Sequence, residues 1–419
     1  MQDKITQSRN PLKGLAGDYF QYVAGCFPIM CASDEFHWVP RAQAAARYPN
    51  RIDDLSRAAV EECVDTLRRF QKEAQDLART QKDLERRMDL GLLVSSISAL
   101  LMDLTTRASW RHNPLLYLKI AFIGLEQAVT ANPSTAGVWR DSIVARLHGM
   151  EGLFAQAMNN LNDVPAHHLQ SALAMMRDGN AYLAELARAW ERQGNRRALH
   201  AARKADAALK VFGQFLKALP PVCRVAADSG QTAAVLQETL TKQFLCPRPL
   251  QQILEIAHEE WQNCLDELER LQACIDPGRS WQRIYVEYQP PETAGTDLFT
   301  LYSREIGLLR QFFTGCGLAQ DPTPLELRET PVFLRSVRGS GSFSAALGAG
   351  SHDKDFFYLT THLPETPGEQ RPEGLKKRLH REYRFLCAHE TFPGHHLLDT
   401  IRRRLANPVR RQIESPLFY

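Results

Sequence analysis

From Ile52 to about Ile275 the chain reads as helix after helix: apolar residues recur every three or four positions, and Pro or Gly appears mainly as punctuation. Text this long and this periodic buries its apolar stripes against other helices, so it predicts a helical bundle or array. Asp53-Asp54-Leu55-Ser56 supplies N-cap chemistry, Asn113-Pro114 ends one helix and opens the next, and Val164-Pro165 opens another. The run from Arg196 to Leu219 halts at Pro220-Pro221, and a helix begun after Pro247-Arg248-Pro249 stops near Asp276-Pro277-Gly278. No fixed-period repeat is evident. A further amphipathic helix is predicted between Asp297 and Phe313.

After Gln320-Asp321-Pro322 the texture changes. Val332–Leu334, Ser340–Phe343 and Phe356–Thr361 set aromatic and β-branched residues among Gly- and Asp-rich turns, which predicts a small sheet, and helix resumes from about Glu373. The expected fold class is therefore mainly α, with a helical region over residues 1–320 and a small sheet plus a further helix over 321–419.

Composition narrows the class. The 419 residues hold 51 Lys plus Arg against 48 Asp plus Glu, a net charge of +3, so no basic field points to a nucleic-acid partner. With 44% hydrophobic and 24% charged residues the chain is globular and not disordered. Its nine scattered Cys, with no CxxC, read as reduced thiols, and the amino terminus lacks an apolar signal core. The longest apolar run, Leu90–Leu104, is broken by Ser95, Ser96, Ser98 and Asp103 and reads as a buried helix, so no membrane association is expected. The expected location is cytoplasmic; oligomeric state leaves no mark in the sequence.

Chemistry concentrates at His389-Glu390-Thr391-Phe392-Pro393-Gly394-His395-His396, where three of the thirteen His flank a Glu. A zinc hydrolase needs neutral imidazole ligands, an open coordination position and a carboxylate to take a proton from water. On an unbroken helix His395 points about 120° away from His389, and His396 shares its face but lies about 10 Å further along. Pro393 cannot donate to the carbonyl of His389, and Gly394 admits backbone angles closed to other residues, so the helix is expected to bend there. A redirected chain brings His395 or His396 back to His389. The competing reading is a plain helix end at Phe392, with Pro-Gly as its stop and the His exposed.

HETFPGHH resembles the signature of a large bacterial family, the domain of unknown function 885 family of zincin-like metallopeptidases, whose members share HExxPGHH. Weaker matches run along most of the chain: Arg51–Ser56, Trp110-x-x-Asn113-Pro114-Leu115 and the aromatic strand before the last helix. The resemblance implies zinc held by His389 and His395, with His396 in reserve as second ligand, and Glu390 as general base in hydrolysis of a peptide or amide substrate. Two departures stand out. Leu398 replaces the family's usual Gln, which removes an expected hydrogen bond near the metal. The family also continues from a segment like Ser415–Tyr419 into an EGWAxYxE-like stretch that carries a third ligand, a glutamate; this sequence stops at Tyr419 and is expected to be a truncated form. Glu414 is the substitute candidate, against a solvated loop carboxylate.

Phe356–Thr361 is the expected sheet edge for an extended peptide, with Tyr358 and Thr360 as substrate contacts; a core strand under the metal helix is the equal alternative. His258-Glu259, His167-His168 and His380 lack ligand spacing, and Gly339–Ser342 reads as a flexible turn, not a phosphate loop. Arg402–Arg404 with Arg410-Arg411 reads as a solvated basic face. The rival to the zinc hydrolase is a non-catalytic helical binding or scaffold protein.

Overall fold

A computed structural model describes residues 11–130, 136–220, 229–318, 322–348, 353–361 and 372–414. Helices dominate. Arg57–Thr80 starts where the Ser56 hydroxyl accepts the Ala59 N–H, Leu84–Met102 where Asp83 accepts the Arg86 N–H at 2.8 Å, and Arg196–Ala218 where Asn195 accepts the Ala198 N–H. Asp53, expected as a cap for this first helix, instead caps the short Pro28–Cys31 turn, accepting from the Ile29 and Met30 N–H groups at 2.7 and 3.1 Å.

These helices share one core. Tyr19, Tyr117, Phe122, Phe154 and Phe212 are fully buried in it, and Phe154 stacks on Phe212 with centroids 5.0 Å apart. The apolar stretch from Leu84 to His112 is long enough to cross a bilayer, yet 67% of its most apolar window is buried within the protein, as expected for a core helix. Leu250–Ile275 is the opposite case: it buries none of its residues.

A second core forms around the sheet. Leu298, Leu301 and Tyr302 of the Leu298–Gly315 helix pack with Phe357 and Leu359 and with Leu375, Leu379, Tyr383 and Leu386 of the Pro372–Glu390 helix. The Leu298–Gly315 helix therefore packs on the sheet side.

The sheet has three strands, β1 (Leu325–Glu329), β2 (Gly341–Ser344) and β3 (Asp355–Leu359), in the order β1-β3-β2. β3 lies in the middle, parallel to β1 and antiparallel to β2. Three expectations change here. Val332–Leu334 is a 3-10 turn whose Phe333 and Leu334 plug the helical core. Gly341 and Ser342 begin a strand, as the sheet reading of Ser340–Phe343 expected and not as the flexible-turn reading of Gly339–Ser342 did. β1, Leu-Glu-Leu-Arg-Glu, supplies the missing strand.

Because the Phe154 ring is buried against Phe212, Phe154→Ala is expected to cost about 3–5 kcal/mol, measured as a lowered denaturant midpoint with far-ultraviolet helicity retained before the transition.

Candidate metal centre

The Pro372–Glu390 helix places its chemistry by periodicity. Leu375, Leu379, Leu386 and Cys387 face the second core, so Glu390, four residues after Leu386, also turns inward and is 6% exposed. His389, four residues after the 66%-exposed Phe385, emerges on the open side, with the two rings stacked at 5.7 Å.

The helix then breaks as the sequence suggested. The Phe392–Pro393 peptide is cis, the Gly394 N–H turns back to the Ala388 carbonyl at 3.1 Å, and a new helix runs from His395 to Arg403. Phe392 and Leu397 bury together against Ile306, Leu309 and Phe313, which fixes the angle of the turn. Gly394 is required for closeness. Its φ is −74°, ordinary for any residue, but a Cβ there would sit 1.7 Å from the His389 carbonyl oxygen.

This turn carries His395 back over His389, with their Nε2 atoms 3.2 Å apart and the rings nearly perpendicular. Ligand atoms of His389, Glu390 and His395 all lie within 4.8 Å of one another, the one such grouping among the described residues. Two nitrogens bound to one tetrahedral zinc at 2.0–2.1 Å stand about 3.3 Å apart, so the observed spacing fits that ion. Burial lowers the His395 imidazole to about 4, with His389 pushing the same way, so at neutral pH it is the uncharged form a metal needs. The Glu390 carboxyl accepts the Phe343 N–H at 2.9 Å, and its Oε2 lies 3.9 Å from His395 Nε2. Burial raises it to about 7, opposed by the Phe343 bond. Phe343 stacks parallel to the His395 ring.

His396 has another task. It is wholly buried, with Nδ1 2.9 Å from Asp355 Oδ2, and Asp355 also accepts from Arg403 at 2.5 Å and from the Ala346 N–H at 2.8 Å. The reserve ligand is thus an anchor that ties the new helix to the start of β3. Arg403 is likewise buried, unlike the solvated face expected for Arg402–Arg404. Glu414 falls outside the ligand grouping; it is half-buried, and desolvation raises its carboxyl against the pull of Arg41 and Arg402. Leu398 is 45% exposed, so that position makes no bond behind the metal pair. Ser415–Tyr419 lie outside the described residues.

The two expected substrate contacts do not join the site. β3 is central and offers no free edge. Thr360 is buried, its hydroxyl 2.8 Å from that of Thr330 and donating to the Gly339 carbonyl at 2.7 Å. Tyr358 projects from the sheet face opposite Phe357 and lines a separate cavity. Sequence reading missed Phe343, Asp355 and Arg403, whose only local signals were a Gly/Ser turn, an acidic loop and a run of arginines.

Gly394→Ala is expected to push the turn apart and weaken zinc binding by more than about tenfold, measured by competition with a chromogenic chelator, while helicity stays near that of the parent.

A protein from Shewanella oneidensis, provisionally described as a lipoprotein of unknown function, has a similar fold, with a TM-score of 0.58 and 15% identity over 96% of this chain and 74% of its own. No curated protein matches the chain. The sequence model described as bacterial protein of unknown function (DUF885) matches residues 40–416, a span that includes the turn and both imidazoles, and the chain belongs to that family.

Proposed function

We propose that His389 and His395 hold a zinc ion and that the protein is a zincin-like hydrolase of peptide or amide bonds, with Glu390 as its general base. The reading rests on one observation above all: two imidazole nitrogens face each other at 3.2 Å beside a buried carboxylate. Bound there, zinc supplies Lewis acidity toward water and a carbonyl oxygen. Catalytic zinc has three protein ligands as a rule. Among the described residues only His389, His395 and Glu390 group together, and the family resemblance assigns the remaining donor to a glutamate after Ser415–Tyr419.

Glu390 does the proton work. A carboxyl brought to about 7 both accepts and returns a proton near neutral pH, as attack on a carbonyl and departure of an amine require. The strand beside it is β2, not β3. The Thr360 N–H donates to the Ser340 carbonyl, so by antiparallel alternation Ser342 and Ser344 also face β3, while Gly341 and Phe343 present their backbone groups outward. An extended substrate aligns on that outer edge, where its carbonyl competes with Glu390 for the Phe343 N–H.

Elemental analysis after zinc loading and dialysis, on a chain that includes the glutamate after Ser415–Tyr419, is expected to give about one zinc per chain, with His395→Ala losing it. Glu390→Gln is expected to keep the zinc and the fold while lowering hydrolysis of a peptide mixture by about 10²–10⁴, followed by mass spectrometry. Parent protein without stoichiometric zinc, or a Glu390→Gln protein that cleaves like the parent, would leave the non-catalytic scaffold reading in its place.

A further inference from the structure

Only one face of the sheet meets the metal helix. Arg328 of β1, Ser344 of β2 and Phe356 and Tyr358 of β3 point the other way, over a cavity of about 620 Å³. Its far wall is Glu126 with its neighbours on the Pro114–Thr130 helix, and Phe333. That volume suits a small organic molecule and is far more than a few waters need.

Most charges around the cavity already have partners. Glu35 holds Lys119 at 2.9 Å and Arg338 beside it, Arg328 holds Glu326 at 2.6 Å, and Asp34 accepts the Ala345 N–H at 2.6 Å. Two groups are left over. The Glu126 carboxylate accepts the Tyr182 hydroxyl and forms no contact ion pair among the described residues, Arg328 acting on it only as a more distant positive charge. The Tyr358 ring stacks on Phe356 and carries Arg338 over its face, but its hydroxyl has no hydrogen bond among the described residues. Burial raises both groups, and the charge of Glu126 raises Tyr358 further, so the two share one neighbourhood.

A carboxylate and a phenol oxygen beside aromatic walls are complementary to a cation that carries N–H donors and an apolar body. The rim already displays that chemistry, with the Arg328 guanidinium 4.5 Å over the Phe356 ring. An anion meets Glu126 with repulsion, and a neutral alcohol leaves its charge uncompensated. We infer that this cavity is a binding site for a small primary amine, its ammonium group between Glu126 and Tyr358 and its apolar part against Phe333 and Phe356. The site is separate from the metal centre and does not depend on the hydrolase reading.

Calorimetric titration of the full chain at pH 7 with phenethylamine, phenethyl alcohol and phenylacetate separates charge from shape. The amine is expected to bind at least about tenfold more tightly than either isostere. Glu126→Gln is expected to erase that preference, and Tyr358→Phe to weaken the amine several-fold, each with an unchanged circular dichroism spectrum. Equal binding of amine and alcohol by the parent protein, no binding of the amine, or a preference that survives in Glu126→Gln would overturn the assignment; the parent comparison stands even if a variant does not fold.

Discussion

The contact on which the site depends is between two pieces of backbone. The carbonyl of His389 and the Cα of Gly394 approach so closely that no side chain fits between them. That approach turns the four intervening residues into a loop tight enough to stack the second helix on the end of the first. Without it, His389 and His395 sit on different faces of one helix and share nothing. The hydrogen bond from Gly394 to Ala388 and the burial of Phe392 with Leu397 hold the approach from either side.

A close turn alone leaves the second helix free to pivot. Asp355 prevents this from the sheet: one carboxylate takes His396, Arg403 and the Ala346 N–H, and all three charged or titratable side chains are at most 3% exposed. Removing one partner from such a buried group costs more than the pair contributes, because the charge left behind stays desolvated. The double histidine of the motif therefore divides its labour. The first ring faces His389, and the second fixes the helix that presents it.

The helical mass and the break in the last helix were legible because both rest on local rules: three-to-four-residue periodicity, Ser56 and Asp83 as caps, and Pro393 with Gly394 as breaker. What could not be read were relations between distant segments. Phe356–Leu359 looks like an edge or a core strand with equal ease until Leu325–Glu329 pairs with it, and that strand hides in an alternation of leucines with charges. The role of His396 is set by Asp355, 41 residues away. Tyr358 is an aromatic hydroxyl close in sequence to the His389 helix, yet the two-residue period of its strand sends it to the opposite face of the sheet.

The strand β2 carries a consequence for solubility. A bare sheet border templates pairing with a neighbouring copy, and proteins blunt such borders with charge. Here the Phe343 and Ala345 N–H groups, two residues apart along the outer side, are already taken by the carboxylates of Glu390 and Asp34. The border is thus sealed by acids that belong to other parts of the chain, and one of them, Glu390, is the residue proposed as general base. The proposed chemistry and protection from self-association hang on the same side chain, so a chain that loses this acid exposes a sticky margin at the point where it would lose its proposed base.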